Sequence, residues 1–205
     1  MHISEGVLSG EVLISCWAGT CAGLALGLKK TDTKKIVRVA FLSSVFFLAS
    51  LVNIRVGASS THLSFLAPMG LILGQAVFPA VFVALLLQAV LFGFGGIVVL
   101  GANTFIMGSA SFITHIIFGR LIRESSGRFR VMILSFMAGA FAVVIGACLV
   151  GIFLMMTDGN FSGAVKVLLT AHIPVAIIEG CVTSFLIIWL KKSAPEILSR
   201  GNSRA

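Results

Sequence analysis

The chain has 205 residues, of which 58% are hydrophobic and 11% charged. A soluble domain carries roughly 25% charged residues, so too few remain here to coat a water-facing surface. The net charge of +8 does not mark a nucleic-acid partner, because the basic residues cluster at the ends of apolar segments. One cluster is Lys29, Lys30, Lys34, Lys35 and Arg38, the second is Arg120, Arg123, Arg128 and Arg130, and the third is Lys191, Lys192, Arg200 and Arg204. Only Arg55 and Lys166 lie elsewhere. That is the positive-inside pattern of a polytopic membrane protein. Runs such as 39–51, 78–94 and 173–190 are apolar on every face, whereas a membrane barrel needs alternation, so the expected class is all-α.

In chain order, residues 1–12 hold two acids and no Lys or Arg. This is the reverse of a signal peptide's basic start and predicts that the first residues are retained. Apolar runs predict seven transmembrane helices at about 11–28, 39–53, 63–76, 79–98, 104–119, 131–156 and 170–190, in a single domain over 1–205. Between them lie basic loops 29–38 and 120–130, a loop "GANT", and a short amphipathic piece at 161–168. The four cysteines (Cys16, Cys21, Cys148, Cys181) all fall in apolar segments and read as small buried hydrophobes. "GFGG" at 93–96 reads as small residues allowing close packing in a membrane helix, as do Ala18-x-x-x-Ala22 and Gly19-x-x-x-Gly23.

Seven spans place the termini on opposite sides. The basic clusters follow helices 1, 5 and 7, which puts the C-terminus in the cytoplasm and the N-terminus outside a cell membrane. Segments 1–10, 53–62, 99–104 and 157–172 then converge on the outer side, carrying His2 and His62, with His172 at their edge. Helices 2 and 3 are short for a bilayer of about 30 Å. Irregular backbone at membrane depth is tolerated only when buried in protein or lining a cavity.

"MHIS" at the start offers a chelate. The large second residue predicts that Met1 is retained. Its amine, the His2 amide and His2 Nδ1 then close one five-membered and one six-membered ring on a metal. Ligation by an amide nitrogen requires loss of its proton. Ni(II) and Cu(II) drive this because they favour square-planar nitrogen sites, whereas Zn(II) prefers tetrahedral ones. One planar position remains, and His62 is the candidate for it. The ordinary alternative is a histidine at position 2 with no role.

Other residues carry two readings each. Asn103 and Thr104 are either second-layer hydrogen-bond donors that orient the histidine rings or helix caps; Ser59 and Ser60 are weaker candidates for the first role. Glu5 is either a similar acceptor or an exposed acid. Glu179 is the one acid in the interior of a predicted span, and such residues are costly unless paired or functional. It lies seven residues after His172 and shares a helix face with it. His115 reads as a packed, hydrogen-bonding histidine. No GxxxxGK[ST] loop occurs in the chain, so this protein does not hydrolyse ATP by that route.

Four stretches together resemble one family. They are "MHISEG" at 1–6, "GASSTHLSFLAPMGLILG" at 57–74, "LLLQAVLFGFGGIVVLGANTFIMG" at 85–108 and "AHIPVAIIEGCVTSFLIIWLKKSAPEIL" at 171–198. They are similar to the CbiM/NikM family, the substrate-binding (S) components of energy-coupling-factor importers for cobalt and nickel. The resemblance implies a six-helix S-component core plus one additional N-terminal helix, with residues 1–10 inserted from outside to bind metal. It implies Met1, His2 and His62 as ligands. Its implied partners are a membrane coupling (T) subunit, two ATP-binding-cassette ATPases and a small accessory membrane subunit, with no catalytic cofactor and the metal ion as substrate. "SSTHL" looks more like nickel-type members than cobalt-type ones, which often carry His-Pro there. Alternatives from other classes are a metallohydrolase, which needs an open coordination position and a base, and an ion-coupled secondary transporter, which needs repeats and several intramembrane charges.

Overall fold

The computed structural model describes residues 3–51, 53–56 and 59–198, and only the backbone of residues 34, 53–56 and 59–62. Its elements are α1 (Gly10–Lys29), α2 (Thr33–Leu51), strands β1 (Asn53–Val56) and β2 (Ser59–His62), α3 (Leu66–Leu73), α4 (Val77–Phe92), α5 (Leu100–Glu124), α6 (Arg128–Thr157), α7 (Ser162–Ser193) and a closing turn α8 (Pro195–Leu198). The all-α membrane class holds. One antiparallel hairpin interrupts it, in the register Asn53↔His62 to Val56↔Ser59.

Several predicted boundaries move, each for a local reason. The basic loop 29–38 shrinks because Asp32 starts a helix: its Oδ1 accepts the Lys35 N–H at 2.8 Å. Helix α2 therefore begins at Thr33 rather than at 39, and ends at Leu51 rather than at 53. The segment predicted as 63–76 narrows to α3 plus a single 3₁₀ turn at Gly74–Ala76. Helix α4 stops at Phe92, not 98, because Gly93 turns left-handed (φ 67°) and its N–H closes on the Ala89 carbonyl, the usual glycine stop. "GANT" is not a loop but part of the first turns of α5, which runs on to Glu124 and shortens the loop 120–130 to three residues. The amphipathic piece at 161–168 is continuous with the span predicted at 170–190, giving α7 its 32 residues.

By length and composition, five stretches among the described residues are able to cross a membrane: Gly10–Lys29, Leu66–Phe92, Leu100–Glu124, Arg128–Thr157 and Gly159–Ser193. The second doubles back. Going down α3, Gly70 lies on the Ser111 carbonyl and Gly74 on His115, but Phe78 of α4 is back against Gly108. The chain thus descends along α5, reverses at Gly74–Ala76, and climbs again in α4. It climbs parallel to α2, because Ser43 Oγ donates to the Ala80 carbonyl at 2.9 Å and Gln88 Nε2 donates to Ser50 Oγ at 2.8 Å.

Large apolar side chains such as Ile14, Phe129 and Phe185 point outward and are exposed, as expected for a surface solvated by lipid. Without water there is no hydrophobic drive between helices, so small residues and buried hydrogen bonds carry the packing. A Cβ on Gly139 of α6 would overlap the Glu179 carbonyl of α7. Thr20 Oγ1 of α1 donates to the Gly101 carbonyl of α5 at 2.6 Å. The cysteines divide: Cys16 is buried, whereas Cys21 and Cys181 are exposed, which corrects the expectation that all four are buried.

The basic clusters meet at one end of the bundle. There Lys191 Nζ donates to the Ile122 carbonyl at 2.6 Å and to that of Ser125, closing the C-terminus of α5. A cavity of about 620 Å³ lies at this end, lined by Lys30, Arg38, Gln75, His115, Arg120 and Arg123 among others. The N-terminal segment sits at the opposite end.

Candidate metal centre

Residues 3–9 form a plug that two buried side chains pin to the bundle, while Ser4, Glu5 and Gly6 between them are exposed. Ile3 and Leu8 are buried, and they share one apolar cluster with Val12 and Cys16 of α1, Ala102 and Ile106 of α5, and Val150 and Leu154 of α6. Burying two such side chains is worth about 1.5–3 kcal/mol each as an upper estimate. A buried backbone needs partners for its polar groups, and the plug finds them on three elements.

The deepest partner is Asn103. Its Oδ1 accepts the Ile3 N–H at 2.9 Å, and its Nδ2 donates to the Ile3 carbonyl at 3.0 Å. The side-chain amide thus copies one rung of a strand ladder. Asn103 is no cap: it lies inside α5 with its own N–H on the Val99 carbonyl at 2.9 Å. What it holds is the backbone of the plug. Thr104, beside it, is fully buried, and its hydroxyl has no partner among the described residues.

The second anchor is Glu5. Its Oε1 accepts the Val98 N–H at 2.9 Å, and its own N–H donates to the Gly95 carbonyl at 3.2 Å. Gly96 holds φ at +109°, and a Cβ there would overlap the Glu5 carboxyl. "GFGG" is therefore not a packed helix stretch. It is the loop that receives Glu5, with Gly93, Gly95 and Gly96 all at positive φ. The third anchor is at the exit, where the Ser9 N–H donates to Thr157 Oγ1 at 3.2 Å.

Met1 and His2 lie outside the described residues. Of Ser59, Ser60 and His62 the structure describes the backbone: all three belong to β2, opposite Val56, Arg55 and Asn53. Among the described residues no three His, Cys, Asp or Glu side chains come together. His172 is buried on α7, with Nδ1 on the Leu168 carbonyl at 2.8 Å and Nε2 unpartnered among the described residues. His115 is at the basic end, stacked on Phe112 with ring centroids 6.4 Å apart.

Insertion of the N-terminal segment is what the family resemblance implied, and its local signal is the apolar pattern of Ile3, Val7 and Leu8 ahead of α1. The partner of Glu179 had no advance notice in the sequence. This buried carboxylate accepts, through Oε1, the backbone N–H of Ser64, the Ser64 hydroxyl at 2.9 Å and the Phe65 N–H at 3.1 Å.

The fold thus defines a class: a multi-pass helical membrane protein whose N-terminal segment is built into its own bundle. Comparison with known proteins narrows it. The family described as "Cobalt uptake substrate-specific transmembrane region" matches residues 2–197. A Haemophilus influenzae protein named "Putative metal transport protein" is 35% identical over 202 residues, 98% of either chain. The "Cobalt transport protein CbiM" of Kyrpidia tusciae is 28% identical, covering 98% of this chain and 87% of that one. A solved transition metal transporter superposes with a TM-score of 0.76 at 26% identity, over 94% of this chain and 93% of its own. The chain belongs to the CbiM family and is a transmembrane component of cobalt/nickel uptake.

Proposed function

We propose that this protein is the substrate-capturing subunit of an ATP-driven energy-coupling-factor importer, taking one divalent transition-metal ion from outside. The ligands are four nitrogens: the Met1 amine, the His2 amide, His2 Nδ1 and His62. The observation that carries this reading is the paired hydrogen bonding of Asn103 with Ile3. A polar clamp and two buried apolar anchors fix the residue next to the proposed chelate, which is what a site made from backbone nitrogen requires. A side-chain site tolerates a mobile main chain; a backbone site does not.

The metal proposed is Ni(II). Deprotonated amide and planar geometry suit it better than Co(II), although the family description and the Kyrpidia relative both name cobalt. The coupling subunit, the two ATPases and any accessory membrane subunit belong to the proposal, as do the outward N-terminus and cytoplasmic C-terminus. Convergence of the basic residues at the end opposite the plug supports that orientation. Release of the ion inward is work for the ATPases, because saturation by four nitrogens leaves no easy exit.

A short N-terminal extension tests the site. It removes the free amine and shifts His2, so Ni(II) binding by the purified protein is expected to vanish, while a C-terminal tag leaves it intact. Binding as tight as that of the native terminus would exclude the amine and the amide as ligands. Metal content and a low-spin Ni(II) visible spectrum decide between nickel and cobalt.

A further inference from the structure

We propose that Glu179 is the positioning residue for the His62 arm, fixing from α7 the backbone that carries it. The inference rests on the reading of His62 as the fourth nitrogen.

Helix α3 has eight residues, about 12 Å of rise, so it starts well inside the bundle. The chain leading to it is not helical: Leu63 to Phe65 lie between the end of β2 and the start of α3, and Phe65 is left-handed at φ 49°. A helix start leaves unpaired N–H groups and a partial positive charge. At membrane depth there is no water to satisfy them. Glu179 meets this positive end from another helix, taking the N–H groups of Ser64 and Phe65, just ahead of Leu66, and the Ser64 hydroxyl on a single oxygen.

The base of that carboxylate is rigid. Glu179 is 1% exposed, and its own carbonyl lies against Gly139 of α6, where a Cβ would not fit. On the next residue, Gly180 is equally close to Phe136. Glu179 is therefore a fixed point from which the 64–65 segment hangs.

His62 is two residues upstream, so its Cα stays within about 7 Å of the Ser64 Cα. On its other side it is the last residue of β2, registered opposite Asn53. The backbone of His62 is thus held between a hairpin rung and a carboxylate clasp. Without the clasp, the N–H groups of Ser64 and Phe65 lose their charged acceptor, and the distance from His62 to the plug is less tightly set. Glu179 itself touches no metal in this scheme; it acts through Ser64 and Phe65.

The test uses full-length protein with its native N-terminus and Ni(II) as the probe, comparing Glu179→Gln, His62→Ala and the double variant. Glu179→Gln keeps the shape and one acceptor oxygen but loses the charge that strengthens all three bonds. It is expected to keep its helical circular dichroism and bind Ni(II) about tenfold or more weakly, with the visible band shifted as water replaces the fourth nitrogen. His62→Ala is expected to give the same spectral change, and the double variant little further loss, since both substitutions remove one ligand. Ser64→Ala, which removes one of the three bonds, gives a smaller loss and serves if Glu179→Gln does not fold. Native affinity and spectrum in Glu179→Gln, alongside weakened His62→Ala, overturn the positioning role alone. Losses that add fully in the double variant overturn it too. Native binding by His62→Ala overturns the ligand reading, and this inference with it.

Discussion

Asn103→Ala isolates the step that docks the plug. The substitution removes both hydrogen bonds to Ile3 and leaves its N–H and carbonyl buried without partners. Each unpaired buried group costs about 1–3 kcal/mol. A water admitted to the gap recovers part of that, so a net penalty of about 2–4 kcal/mol falls on the docked state. Ile3 and Leu8 still favour docking through their burial, about 3–6 kcal/mol together as an upper bound. Docking is therefore weakened, not abolished. At about 1.4 kcal/mol per factor of ten, that penalty lowers Ni(II) affinity by roughly 30- to 700-fold. Asn103→Asp keeps the acceptor for the Ile3 N–H but loses the donor, and belongs between native and Ala. The assay is competition titration of detergent-solubilised protein with a chromophoric Ni(II) chelator, paired with thermal melting to confirm that α5 still folds. An affinity for Asn103→Ala within about threefold of native, with unchanged melting, refutes the reasoning, because the clamp would then be irrelevant to the geometry beside it.

Gly96→Ala acts on the second anchor. It places a methyl where the Glu5 carboxyl sits and strains a residue at φ +109°, worth about 1–3 kcal/mol, so limited proteolysis of residues 3–9 is expected to accelerate while the helical core stays resistant. Protection equal to native would show that the Glu5 latch does not hold the plug. Gly70→Ala drives a Cβ into the Ser111 carbonyl, forcing α3 away from α5 at a cost of about 1–3 kcal/mol; an unchanged melting temperature would mean that the two helices are not in backbone contact.

The spans were legible because apolar runs of this length have only one use, and the basic clusters at their ends order them. Their limits were less so. Asp32 and Gly93 each set a boundary by one local contact, one lengthening α2 by six residues at its start and the other cutting α4 short of 98. "GFGG" misled because the residues after it, Ile97 to Leu100, keep the apolar character of a continuing helix while the backbone has already turned. Asn103 and Glu5 were singled out as polar residues near the proposed site, and both hold the plug in place, Asn103 from α5 and Glu5 from within the plug itself. Their partners were not legible, because they hold backbone, and backbone leaves no mark in a sequence.

By itself the sequence determined the all-α membrane class and the grouping of basic residues, since these depend on composition and order. The tertiary structure alone decided that residue 3 meets residue 103 and that Glu179 meets Ser64, pairs 100 and 115 residues apart. Both are cases of buried main chain finding polar partners where no water reaches. Which partner is nearest depends on how the helices stack, and no local pattern encodes that.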